Sequence, residues 1–239
     1  MRKIPVTVIA KLTTVELKLL AREPGSIFSV LIPLFILVVF GSSIPPGDTM
    51  LLPMTLVIAV GLVGLYQLPT TLATYRERGI LRRLSTTPVR PGSMLAVQLI
   101  LQFVLALTAC ALLITVAGTV LGAHVPSQAL RIAAVFLLGT AAMFAIGLLI
   151  AAVAANGRTA NGVGVLLYFP LAYLAGLMQP VNQMPDILAR IGAFTPMGAF
   201  RQALHDVWAG LSPDPLVLGV MAAYAVVVSL AAARFFRWE

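Results

Sequence analysis

Charge is scarce in this chain, and where it occurs it is bunched. Residues 74–93 read TYRERGILRRLSTTPVRPGS and gather Arg76, Glu77, Arg78, Arg82, Arg83 and Arg90 into one short segment. A guanidinium offers N–H donors in a rigid fork, so this spacing suits charge-assisted contacts with protein carboxylates or lipid phosphates. On a helical projection Ile80, Leu81 and Leu84 share one side, Arg78, Arg82 and Ser85 lie opposite, and Arg76 and Arg83 flank them. The pattern predicts a short amphipathic helix with Glu77 in its first turn, where a carboxylate suits the helix dipole, and Pro88 as its stop. Gly79 inside such a helix costs roughly 1 kcal/mol relative to alanine, which predicts either a bend or a close approach to another backbone. Leu81 and Leu84 are placed to anchor in an apolar groove while the arginines reach acidic groups. The alternative is a loop on anionic lipid, each arginine adding about 1 kcal/mol near the surface.

Other chemistry is largely excluded. The only lysines are Lys3, Lys11 and Lys18, none after a glycine, so there is no phosphate loop through which this chain could bind and hydrolyse ATP. Neither His-Glu-x-x-His nor Gly-x-Ser-x-Gly occurs, and the two histidines, His124 and His205, are both expected in external segments. No catalytic residue, cofactor or metal site is expected. Cys110 is the single cysteine, so no internal disulfide can form, and it is expected to be a small packing residue.

The elements that position the arginine loop are apolar runs. Residues 24–47, 49–75, 91–130, 132–157, 159–185 and 215–233 contain no charged side chain. A membrane-crossing helix needs roughly 20 such residues, so each run has room for one crossing. With 60% hydrophobic and only 10% charged residues, the chain lies far from the soluble globular range of about 25% charged. Backbone groups must be satisfied within the bilayer and the runs do not alternate, which excludes a barrel. The expected fold is an all-α integral membrane protein with six transmembrane helices in a single domain, residues 1–239. Thirteen of the sixteen Lys and Arg residues precede the first run, separate the second from the third and the fourth from the fifth, or follow the sixth. Basic loops stay cytoplasmic, so both termini are expected in the cytoplasm of a multi-pass inner-membrane protein, and the excess charge marks topology rather than nucleic-acid binding. Residues 1–23, with Val8, Leu12, Val15 and Leu19 at helical spacing, predict an interfacial amphipathic helix.

The external segment, residues 179–213, carries two further helical patterns, Ile187, Leu188, Ile191 and Phe194, then Phe200, Ala203, Leu204, Val207 and Trp208. Pro185 is expected to open the first, and Thr195–Pro196 to act as N-cap and first residue of the second. Both are too short to span, so they are expected to be re-entrant or to lie at the outer surface, with Trp208 at the headgroup level. Within the runs, polarity is limited to neutral groups such as Gln67, Thr71, Gln98, Gln102, Thr108, Thr115 and Asn161. Ion- and proton-coupled carriers usually hold a titratable residue there, so the energy is expected to come from outside the chain. Gln98 and Gln102 share a helix face, suited to interhelical hydrogen bonding or to ligand contact. Gly118 and Gly122 form a Gly-x-x-x-Gly motif expected to serve internal packing. Gln67, Gln98, Gln102, Met143, Phe144, Tyr168, Phe169, Tyr173 and Met178 are the candidate lining of an apolar passage.

Glu77-Arg78-Gly79, Leu81, Arg83-Leu84, Thr87-Pro88 and Arg90 resemble the coupling loop of ATP-binding-cassette type 2 (ABC-2) exporter permeases, especially the drug-resistance branch typified by daunorubicin exporters. Gly176-Leu177, Pro180, Met184-Pro185, Pro196 and Arg201 resemble that family's fifth-helix region and its continuation. Ile80, Arg82, Ala175 and Thr195 stand where Thr, Glu, Ser and Asn are usual. The resemblance implies a permease of hydrophobic or amphipathic drugs, lipids or glycan precursors that pairs with a second copy or a related chain. It implies that Arg76, Glu77, Arg78, Gly79, Leu81, Arg82, Arg83, Leu84, Thr87 and Pro88 dock on a separate cytoplasmic ATPase that binds ATP and Mg. Gly176, Pro180, Pro185, Pro196 and Arg201 would then belong to an external gate, and membrane lipids would surround the whole.

Overall fold

The computed structural model describes residues 24–42, 48–80, 91–123 and 128–235, so the expected N-terminal helix lies outside the described residues. Those described are helical with no strand among them. In chain order they form α1 (Pro24–Gly41), α2 (Leu51–Glu77), α3 (Pro91–Val120), α4 (Ala129–Val153), α5 (Gly157–Leu174), α6 (Asp186–Ala193), α7 (Pro196–Trp208) and α8 (Pro215–Phe235). Four of them, α2, α3, α4 and α8, are long and apolar enough to cross a membrane. α1 and α5 are shorter, 18 residues each, which corresponds to about 27 Å at the helical rise. α5 also begins on the polar sequence Gly157-Arg158-Thr159-Ala160-Asn161.

Burial identifies the axis of the bundle. The most apolar window of α2 is 78% buried, against 33% for α3 and 17% for α8. α2 packs on α1, α3, α4, α5 and α7. Asp48 fixes its start by accepting hydrogen bonds from the Met50 and Leu51 backbone N–H groups at 3.1 and 2.7 Å.

In the middle of α2 the backbone widens into a π turn over Leu62–Gln67. Pro69 gives the physical reason, because it has no N–H to donate and its ring would collide with the carbonyl of Leu65, four residues earlier. Leu68 N–H donates instead to Val63 O. The Gly64 carbonyl is then left without its regular donor, since Leu68 is engaged and Pro69 has none. Two glycines meet this widened backbone. A methyl group on Gly147 of α4 would sit 2.1 Å from Gly64 O, and one on Gly164 of α5 would sit 2.1 Å from Leu65 O. Both helices therefore rest directly on α2's carbonyls, in the range of Cα–H···O contacts.

The close-packing glycines are thus not the pair expected from the sequence. Gly118 and Gly122 are exposed, and Gly122, at φ +62 with nothing within 4 Å of an added Cβ, ends α3 while Ala123 N–H closes back on Ala117 O at 2.9 Å. A glycine just past the last turn is the usual way to end a helix in the left-handed conformation, which the motif spacing alone does not reveal.

α7 packs one face into the bundle. It inserts against α4, the first half of α2 and α8, burying Met197, Phe200, Ala203, Leu204, Val207 and Trp208. The Phe200 ring occupies the space that a side chain at Gly139 would need, and it lies 6.5 Å from the Phe136 ring.

Substituting Gly164 by alanine is expected to push α5 off α2 and lower stability by about 1–3 kcal/mol, the usual cost of overpacking. Gly162→Ala on the same helix, where an added Cβ meets nothing within 4 Å, is expected to be neutral or stabilising by up to about 1 kcal/mol. Thermal unfolding of the two detergent-solubilised variants tests the pair.

Candidate functional site

The last turn of α2 carries the first residues of the arginine loop, and their partners lie far away in sequence. Arg76 donates through Nη1 to the carbonyls of Ala151 and Ala152 at 3.1 and 3.3 Å, and through Nη2 to Ala154 O. These carbonyls close α4, where backbone acceptors have no intrahelical donor and the dipole is negative. One residue later, Glu77 Oε2 accepts from the backbone N–H of Gly157 at 3.0 Å, at the positive start of α5. Asn156 caps the same turn by accepting from Thr159 N–H at 2.8 Å. An added Cβ on Gly157 would stand 2.1 Å from Thr74 Oγ1, so a larger residue here would displace the Thr74 hydroxyl. Two adjacent residues of α2 thereby hold both ends of the α4–α5 connection.

This corrects the expected boundary of the loop. Glu77 is the last residue of α2, not the first turn of a new helix, and the positive helix end that it serves belongs to α5. Gly79 is not inside a helix either. Its φ of +64 and its N–H bond to Arg76 O terminate α2, with nothing within 4 Å of an added Cβ, so its role is the bend rather than the close approach. Arg78 is exposed beside it. Leu81, Arg82, Arg83, Leu84, Thr87 and Pro88 lie outside the described residues.

The neutral polar residues divide into satisfied and unsatisfied groups. Gln67 Nε2 donates to Ser26 Oγ of α1 at 3.0 Å, and the Thr71 hydroxyl donates to Gln67 O at 2.9 Å. Gln98 and Gln102 lie on the stripe of α3 that packs against α1 and α2, exposed by 1% and 0%. Among the described residues, Gln98 Oε1 and both amide atoms of Gln102 have no hydrogen-bond partner. Among those residues, the interhelical bond expected at Gln102 is therefore not made. An unmade bond of this kind costs about 1–3 kcal/mol.

The other proposed lining residues are dispersed. Met143 and Phe144 are buried, Met143 against Gly64. Tyr168 packs beside Gly61 and edge-on to Phe169, with ring centroids 5.8 Å apart, while Phe169 and Met178 are exposed. The Tyr173 hydroxyl reaches Gln179 Oε1 at 3.4 Å. None of the nine residues lines the cavity of about 510 Å³ at the junction of α2, α3, α4 and α7, or the smaller one of about 200 Å³ between α1 and α2.

At the other end of the bundle, part of the external set does converge. Gly176, at φ +79, makes the turn after α5, and Arg201 Nε lies 3.8 Å from where its Cβ would stand. Among the described residues Arg201 Nε has no partner, and burial pulls the guanidinium below its ordinary pKa while Asp206 opposes the shift. Pro180 precedes a short turn, Pro185 opens α6, and Thr195 caps α7 by accepting from Gly198 N–H at 3.1 Å with Pro196 first in the helix, as expected. The Arg76 and Glu77 ties were not visible in the sequence, since their partners are backbone groups some 75 to 80 residues away.

No curated protein matches the chain. The profile of the ABC-2 type transporter family matches residues 7–207, most of the 239 residues and nearly all the features just described. With its apolar helical bundle and its charged turn at the end of α2, the chain belongs to the ABC-2 type transporter family.

Proposed function

We propose that the chain is the membrane permease of an ATP-driven exporter. It crosses the inner membrane six times with both termini in the cytoplasm, α1 and α5 completing the count. It pairs with a second permease and draws energy from a separate cassette ATPase that carries ATP and Mg. Its cargo is hydrophobic or amphipathic, a drug, lipid or glycan precursor, and its loop motif resembles that of the daunorubicin-exporter branch. Family membership supports the permease role, and the lack of charge in the apolar runs favours an external energy source over ion coupling.

The observation that carries the coupling mechanism is the double tie at the end of α2. Residues from Arg78 onward are the docking surface, and Gly79 is the bend that joins it to the membrane helices. A push on that surface reaches α2 directly, and through Arg76 and Glu77 it reaches α4 and α5 together. Arg78 and Glu77 therefore have separable roles. Arg78→Glu is expected to weaken association with the partner cassette ATPase. Glu77→Gln is expected to leave association and membrane insertion intact while transport falls about tenfold or more, equivalent to about 1.4 kcal/mol of lost coupling. Affinity capture of the ATPase and ATP-driven uptake of daunorubicin into inverted vesicles measure the two arms. Glu77→Gln vesicles with undiminished uptake would refute the tie as a transmission element.

Gln98 and Gln102 are the proposed contacts for the polar part of the cargo, exposed when α3 parts from α1 and α2. In the packing described above their unmade hydrogen bonds are a cost, so removing them has an unusual sign. Gln102→Leu is expected to raise the thermal midpoint by an amount corresponding to about 1–3 kcal/mol while reducing daunorubicin uptake, a trade of function for stability. A lowered midpoint would mean that Gln102 is satisfied after all.

A further inference from the structure

The cavity at the junction of α2, α3, α4 and α7 has no part in the proposed transport mechanism. It measures about 510 Å³, and Leu56, Phe103, Cys110, Phe136, Leu204 and Trp208 are among its walls, none of which carries a charge. α3 and α4 meet across its deep end through the Phe103 and Phe136 rings, with centroids 6.2 Å apart. From there the walls run through Leu107 and Leu137, both largely exposed, to Ile114 and Ala129 at the first turn of α4. The groove thus begins among side chains within the bundle, opens sideways, and ends where α4 starts.

We infer that this groove holds one acyl chain of a membrane phospholipid, with the phosphate drawn to Arg131. Three observations select that occupant. The walls are almost wholly apolar and offer water few partners, so the space is a poor one for water, and left empty its lining would forgo the dispersion contacts of a packed interior. Hydrocarbon is the medium around α3 and α4, and the lateral opening between Leu107 and Leu137 admits a chain without unpacking a helix. Arg131 is exposed in the same turn as the lining residues Ala129, Ile132 and Ala133, and its guanidinium, 2.9 Å from Gln128 Oε1, supplies the charge that matches a phosphodiester. Cargo contact at Gln98 and Gln102 shares no wall with this site, so the lipid stands or falls independently of the transport reading.

Cys110 makes the inference directly testable, because the chain's only thiol is in the wall. The full chain, purified in detergent and stripped of lipid, is treated with N-ethylmaleimide, and modification is followed by intact mass with and without phosphatidylglycerol. At a lipid concentration about ten times its dissociation constant, the modification rate is expected to fall about tenfold. Arg131→Gln is expected to need more lipid for the same protection. Ala133→Trp, which fills the groove, is expected to lose retained phosphatidylglycerol in native mass spectrometry, and Ala111→Leu serves the same purpose if the tryptophan variant does not fold. Unchanged Cys110 modification in the presence of the lipid overturns the inference. So does oxidative cross-linking of Cys110 between two copies, which gives the groove to the partner, or protection by daunorubicin alone, which gives it to the cargo.

Discussion

The structure depends on how closely α4 and α5 approach the backbone of α2. Lipid tails are as apolar as leucine, so helices in a bilayer gain little from hiding hydrophobic side chains from water and associate through close packing instead. Here that packing reaches its limit. Gly147 and Gly164 bring their helices onto the carbonyls of Gly64 and Leu65, leaving no room for even a methyl group. The π turn that presents those carbonyls follows from Pro69, so one residue in α2 determines where two other helices can rest. A defect in one helix's hydrogen-bond ladder has become the seat of the bundle.

That seat and the tie at Arg76 and Glu77 act on the same three helices at two levels. The glycine contacts hold α4 and α5 against the middle of α2, and the hydrogen bonds hold their adjoining ends against its last turn. Two separated attachments fix orientation as well as distance, which a single contact does not. α2, α4 and α5 are therefore disposed to move as a unit, whereas α3 touches α4 chiefly through the Phe103 and Phe136 rings and leaves a cavity between them. On the proposed reading, a force applied beyond Gly79 is transmitted to the unit and resisted least at α3.

What the sequence made legible was whatever depends on composition and local pattern. The helical class, the long apolar runs and the Pro185 and Thr195-Pro196 helix starts can all be read from neighbouring residues. Local pattern misled at Gly79 and Gly122, because a glycine's role depends on whether the chain continues through it, and both adopt positive φ at helix ends. It misled again at Glu77, whose favourable helix dipole belongs to α5. The burial of α7 was hidden because an amphipathic stripe looks the same whether it faces lipid headgroups or a slot beside Gly139. Side-chain contacts with distant backbone, such as Arg76 with the end of α4, leave no periodic trace at all.

Gln98 and Gln102 show why the sequence reading and the structure differ most where movement is proposed. A chain selected only for a stable resting bundle would place leucine there, because a buried amide without a partner opposes folding and leucine would pack the same stripe without that cost. On the same helix, Thr108, Thr115 and Thr119 donate their hydroxyls back to carbonyls four residues earlier and so remove their own cost. A glutamine side chain in a helix has no such easy backbone acceptor, so its amide needs a partner from another helix, from water or from cargo. The two glutamines therefore raise the energy of the packing in which they are buried, narrowing its gap to any arrangement in which they are hydrated or bound. A gap of a few kcal/mol between two packings is the condition under which a ligand, or a push from a docked ATPase, can shift the population from one to the other.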